Sequence, residues 1–114
     1  MNRISTHVLD TARGKPVKDL PVCLEKQTTP DNWVAITSAR TDQDGRCGQL
    51  LSDESILPAG IYRLRFDTAG YFSGEKIAGL YPVVEITFEV LDGESHFHIP
   101  LLLSPNGYTT YRGS

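Results

Sequence analysis

Val83-Val84-Glu85-Ile86-Thr87-Phe88-Glu89-Val90 is the stretch on which the fold turns, because apolar and polar residues alternate along it with a period of two. Val84, Ile86, Phe88 and Val90 fall on one face, and Glu85, Thr87 and Glu89 on the other. That is the pattern of a strand with one face buried and the other in water. Asp92-Gly93 follows as a turn dipeptide. The chain then alternates again, with Phe97, Ile99, Leu101 and Leu103 available to a core and His96 and His98 facing away from it. So short a connection predicts an antiparallel hairpin in which residues 83–91 pair with residues 95–103.

Further strands precede and follow this pair. At the start, Ile4, Thr6 and Val8 share one face while Ser5, His7 and Leu9 share the other. Leu20, Val22 and Leu24 alternate inward over residues 20–26, Trp33 to Thr37 makes another strand, and Tyr62, Leu64 and Phe66 oppose a wet face carrying Arg63 and Arg65. Turn signals separate these runs. In Thr41-Asp42-Gln43-Asp44-Gly45-Arg46, Gly45 can take a positive φ without steric cost, and Arg46 emerges directly from the turn. A short turn is expected over Asp53 to Ala59, and the one helix candidate lies around Gly74 to Ala78, where the period-2 pattern lapses. Pro105-Asn106-Gly107 leads into a last short strand, Tyr108 to Tyr111. Seven or eight short strands with regular turn signals and at most one helix indicate an all-β sandwich.

A chain of 114 residues with 39% hydrophobic and 22% charged residues fits one globular domain over residues 1–114, large enough to bury a core without disulfide or metal staples. A net charge of −3 with no basic run speaks against a nucleic-acid partner. No apolar run approaches the ~20 residues that cross a bilayer, and the N-terminal stretch has no apolar leader core, so the expected location is cytoplasmic with no membrane association. Cys23 and Cys47 stand alone, outside any zinc-ligand spacing, and are expected to be free thiols.

His7, Arg46 and His98 come from three separate elements and suit hydrolysis. Imidazole titrates near neutrality and can take or return a proton; guanidinium keeps its proton but can hold a carbonyl or a developing oxyanion. The tail, Tyr111-Arg112-Gly113-Ser114, packs a phenol, a guanidinium and a terminal serine with its carboxylate behind a strand. Taken singly, each histidine and the arginine also fit solvated surface groups. His96-x-His98 has same-face spacing compatible with a metal, but such a pair is by itself a weak metal signal and a metal is not expected. Ser114 lies outside any nucleophile-elbow context, which disfavours a serine hydrolase.

Three segments carry a resemblance to a known family. Ile4-Ser5-Thr6-His7-Val8-Leu9-Asp10, Thr41-Asp42-Gln43-Asp44-Gly45-Arg46, and His98-Ile99-Pro100-Leu101-Leu102-Leu103-Ser104-Pro105 followed by Tyr111-Arg112-Gly113-Ser114 resemble the transthyretin-related 5-hydroxyisourate hydrolases over nearly the whole chain. The terminal tetrapeptide is that family's most specific signature, and transthyretin proper, the hormone-carrying relative, lacks it together with the histidine pair. The resemblance implies a prealbumin-like two-sheet β-sandwich of about eight strands with one short helix, assembled as a homotetramer with active sites between subunits. It also implies a reaction in urate degradation: hydrolytic opening of the six-membered ring of 5-hydroxyisourate to 2-oxo-4-hydroxy-4-carboxy-5-ureidoimidazoline, with no cofactor and no metal. His7, Arg46 and His98 match the family's catalytic trio and Ser114 its terminal pocket group. Tyr111 and Arg112 are expected to shape the pocket and anchor the tail. Which histidine is base and which is acid stays open. The chain departs from the family at Asn106, commonly an aromatic, and at Asp42, commonly Asn, both in turns. The rival reading is a transthyretin-type carrier of a small aromatic ligand, which would not need the two histidines and the arginine together.

Overall fold

The computed structural model describes residues 3–51 and 57–114. Among them nine strands and one helix build two sheets: β1 (Arg3–Asp10), β2 (Lys15–Pro16), β3 (Pro21–Thr29), β4 (Asn32–Arg40), β5 (Arg46–Cys47), β6 (Gly60–Asp67), α1 (Ala69–Gly74), β7 (Val83–Val90), β8 (His96–Ser104) and β9 (Gly107–Thr110). One sheet runs β4-β3-β6-β7, and the other β2-β1-β8-β9 with β5 also on β1. The turn expected over Asp53 to Ala59 falls largely on residues 52–56, outside the described residues.

The alternating residues meet between the sheets as their period dictates. Ile4 and Val8, Leu20, Val22 and Leu24, Tyr62, Leu64 and Phe66, Val84 and Val90, and Leu101 and Leu103 are all essentially inaccessible to solvent. Polar groups in this core find partners. Thr6 donates its hydroxyl hydrogen to the Ile99 carbonyl at 2.6 Å, and the Tyr62 hydroxyl donates to the Pro58 carbonyl at 2.6 Å. Satisfied groups of this kind carry no desolvation penalty to offset the apolar burial.

The hairpin expected between residues 83–91 and 95–103 does not form. β7 pairs antiparallel with β6 in the four-stranded sheet, while β8 pairs parallel with β1 and antiparallel with β9 in the other. The Asp92-Gly93 turn reverses the chain but also carries it across the sandwich. The apolar faces of β7 and β8 therefore look at each other rather than lying side by side, with the Phe88 and Phe97 ring centroids 5.8 Å apart. Turn chemistry sets the reversal and alternation sets the buried face; neither selects the sheet in which a strand finds its neighbour.

The helix also lies earlier than the expected Gly74 to Ala78. Ala69–Gly74 is helical because Phe72 plugs the core at 2% exposure and the Tyr71 hydroxyl donates to the buried Asp10 carboxylate at 2.6 Å. Burial and that carboxylate together push the Tyr71 phenol well above its ordinary range. These tertiary anchors outweigh the weak helix propensity of a segment with two glycines.

Candidate active site

The outward face of the β1–β8 sheet is assembled by register. β1 and β8 run parallel with Ser5 beside His98, and β5 pairs antiparallel with β1 so that Arg46 is the cross-strand partner of His7. Residues 41–46 deliver Arg46 to that position. The Asp42 carboxylate accepts the backbone N–H of both Asp44 and Arg46 at 2.9 Å, closing a side-chain turn. Gly45 sits at φ +79°, where an added Cβ would stand 2.4 Å from the Val8 carbonyl oxygen, so only glycine fits.

The same turn orients His7. Its Nε2 lies 2.8 Å from the Asp44 carbonyl oxygen. A carbonyl can only accept, so Nε2 carries a proton and Nδ1 is the nitrogen left for chemistry. The Arg46 guanidinium, by contrast, has no ion pair or side-chain hydrogen bond among the described residues.

His98 is half-buried between two strands. Its Nδ1 lies 2.8 Å from the Ser5 hydroxyl on β1. On the other side the tail returns along β8, and the Gly113 N–H donates to the His98 carbonyl at 2.7 Å. Pro100 explains why the tail detaches before re-joining. Residues i and i+2 of a strand aim their backbone groups the same way, so Pro100 presents its N–H-less nitrogen to the side on which His98 is bonded. The β8–β9 ladder stops at Leu101 and Thr110, and the Thr110 hydroxyl donates instead to the Pro100 carbonyl at 2.7 Å. Three residues on, Gly113 faces His98 so closely that a Cβ there would stand 2.6 Å from the ring's Cδ2. Burial first, and then the charges of Arg46 and His7, hold the His98 imidazole below its ordinary pKa and hence neutral around pH 7.

Arg3, Ser5, His96, His98, Gly113 and Ser114 line a depression of about 270 Å³ over this ring. Two larger depressions, of about 790 and 550 Å³, lie beside α1 and beside Cys23. Neither contains a histidine, so volume is a poorer guide here than chemistry. Of the residues singled out from sequence, His7, Arg46 and His98 come together on one face, and Ser114 joins His98. Tyr111 and Arg112 do not line the depression. Tyr111 is 56% exposed. Arg112 bonds to Glu94 at 3.1 Å and to the His96 carbonyl at 3.3 Å and stacks over Phe97, which like His96 lines the depression. Sequence reasoning did not single out Ser5 or Asp44, and it took Gly113 only as part of the terminal tetrapeptide. Ser5 could have been found by its same-face spacing with His7, but its partner lies 93 positions away. Among the described residues no group of three or more His, Cys, Asp or Glu is placed to hold a metal ion. Cys23 and Cys47 are both free.

Two imidazoles and an uncommitted guanidinium on the open face of one sheet define a prealbumin-type sandwich equipped for acid–base chemistry. Residues 4–113 match the HIUase/Transthyretin family, and the chain belongs to that family. It is 44% identical to the 5-hydroxyisourate hydrolase of Mus musculus, over 97% of this chain and 94% of that one. Among solved structures it superposes on Klebsiella pneumoniae 5-hydroxyisourate hydrolase with a TM-score of 0.85 and 32% identity, covering 100% of both chains. It superposes on transthyretin from Sparus aurata with a TM-score of 0.89 and 29% identity, covering 99% of this chain and 97% of that one. The carrier and the enzyme match the backbone about equally well, so the fold does not separate them.

Proposed function

We propose that the protein hydrolyses 5-hydroxyisourate to 2-oxo-4-hydroxy-4-carboxy-5-ureidoimidazoline in urate degradation. The observation that carries this reading is the grouping of His7, Arg46 and His98 on one sheet face, with the guanidinium left unpaired among the described residues beside a neutral imidazole. A carrier of an apolar aromatic ligand has no need of such a grouping. The names of the relatives support the same activity.

In this mechanism His98 takes a proton from water as it attacks the ring carbonyl. The carbonyl π electrons move onto oxygen, where Arg46 holds the oxyanion through its forked donors. The oxyanion then re-forms its carbonyl as the C–N bond breaks, and His7, entering the step as imidazolium, gives its Nδ1 proton to the departing ring nitrogen. His98 afterwards releases the proton it took to solvent and His7 regains one. Its Nε2–H bond to the Asp44 carbonyl suits that role, because it commits Nε2 and leaves Nδ1 as the nitrogen that exchanges a proton. Ser114 completes the wall beside His98, while Tyr111 and Arg112 shape and anchor the tail.

The protein acts as a homotetramer in this reading, with sites closed between subunits. An open sheet face walls a flat substrate on one side only, and a second copy supplies the other. The edge strands β7 and β9 are free to pair, with exposed Leu91 and Tyr108 at hand. We place it in the cytoplasm, where free thiols such as Cys23 and Cys47 are the rule. No described helix is long and apolar enough to cross a membrane.

Generating 5-hydroxyisourate in situ from urate, and following its ultraviolet absorbance with and without the protein, tests the reading. Consumption faster than the spontaneous decay is expected. Decay at the background rate, with tight binding of an aromatic ligand, would instead establish the carrier.

A further inference from the structure

The His98 ring is gripped from both sides. Its Nδ1 edge meets the Ser5 hydroxyl at 2.8 Å, and its Cδ2 edge lies against the Cα of Gly113, where even a methyl group would intrude. With Nδ1 and Cδ2 occupied, Nε2 is the ring nitrogen left without a hydrogen-bond partner among the described residues. We propose that Ser5 is a positioning residue for the hydrolysis: its hydroxyl oxygen accepts the Nδ1 proton of His98 and so fixes the tautomer whose Nε2 lone pair faces the substrate, with Gly113 as the opposite jaw that keeps the ring in place. The inference rests on the reading of His98 as proton acceptor.

The direction of the Ser5 bond follows from the charges around it. A hydroxyl can donate to Nδ1 or accept from it. The groups that face the ring are Arg3 and His7 from β1, Arg46 from β5, His96 from β8 and Ser114 from the tail. Arg3 and Arg46 stand as two cations against the single Ser114 carboxylate, and the charges that act on the ring lower its proton affinity, so the balance favours a lone pair toward the open side and disfavours an N–H there. That leaves the proton on Nδ1 and makes Ser5 the acceptor. The charges set the direction and the hydroxyl strengthens it: without an acceptor for Nδ1–H the preference weakens, and in the other tautomer Nε2 carries a proton and cannot act as the base.

Ser5 stands at a half-buried position on a strand, and its replacement removes a hydroxyl rather than a core group, so Ser5→Ala should fold. The test combines two readouts on full-length protein. In ¹⁵N-histidine-labelled protein, long-range proton–nitrogen correlation assigns the His98 tautomer, with His98→Ala identifying its signals. Wild type is expected as the Nδ1–H form. Ser5→Ala is expected as a mixture, with kcat on 5-hydroxyisourate down about ten-fold, the rate equivalent of one ordinary hydrogen bond, and KM little changed. Ser5→Thr keeps the hydroxyl and should recover most of the loss. Gly113→Ala should disturb the same tautomer signal with Ser5 intact, because the ring must move off its partner. Wild-type protein in the Nε2–H form, or Ser5→Ala with unaltered signals and kcat, would overturn the proposal. A His98→Ala variant that retained full activity would instead overturn the proton-acceptor reading, and the role assigned to Ser5 with it, whatever tautomer the nitrogen shifts report.

Discussion

Each sheet of the sandwich carries an arginine on its outer face, and the two are treated in opposite ways. On the β4-β3-β6-β7 sheet Arg63 is held: its Nε is 2.5 Å from Glu25 and 3.5 Å from Glu85, and its guanidinium lies 4.2 Å from the Trp33 ring centroid. Its side chain is only 18% exposed. On the β1–β8 sheet Arg46 is exposed, has no anionic partner among the described residues and stands among imidazoles. A neutralised, stacked guanidinium adds to the cohesion of a sheet face. An unpaired one beside a neutral imidazole is available to an external oxygen. Both arginines occupy comparable places in a strand pattern, so residue type does not separate a structural charge from a catalytic one; the partners do.

The comparison can be broken most severely at His98. His98→Ala should lower turnover about 10²–10⁴-fold, as loss of a positioned proton acceptor does, while leaving the thermal unfolding curve in place. A parallel fall in stability and activity would make the imidazole structural and erase the contrast between the faces. Next comes the core that both sheets share. Leu64 is fully buried on β6, and Leu64→Ala should cost about 2–5 kcal/mol in urea unfolding while the folded fraction keeps its turnover. A large loss of turnover per folded molecule would mean that the site depends on sheet spacing more than on its own side chains.

The smallest expected effect is on pH dependence. Burial, then Arg46 and His7, lower the His98 pKa from the ordinary 6.5, so the folded state binds its proton less readily than the unfolded chain. The group's contribution to stability is therefore full above 6.5 and is lost as pH falls through the lowered folded value. Activity that needs neutral His98 should likewise hold at pH 6.5 and decline only below it. An acid limb of kcat/KM above 6.5 would contradict the lowering of this ring by burial and by the neighbouring cations.

Much of this was legible in the chain. Period-2 alternation marked the buried faces of β1, β6, β7 and β8, and the family resemblance picked out His7, Arg46 and His98 before the sheet brought them together. What escaped was pairing at a distance. Nothing local in Asp92-Gly93 says whether the chain stays in its sheet or crosses to the other one. The helix moved to Ala69–Gly74 because Tyr71 finds Asp10, a partner 61 positions away. Ser5 and His98 likewise meet only through the parallel β1–β8 register. Arg63 read simply as part of a wet face, because Glu25, Glu85 and Trp33 reach it from three different strands.

The most direct test sets the two arginines side by side. Arg46→Ala and Arg63→Ala are each assayed for 5-hydroxyisourate consumption above background and for urea unfolding. Arg46→Ala should slow turnover about 10²–10³-fold, as loss of an oxyanion donor does, with stability unchanged within about 0.5 kcal/mol. Arg63→Ala should keep turnover within about two-fold and lose about 1–2 kcal/mol of stability. Crossed outcomes of that kind would assign chemistry to one face and cohesion to the other. Arg46→Ala with wild-type turnover would contradict the account at its centre.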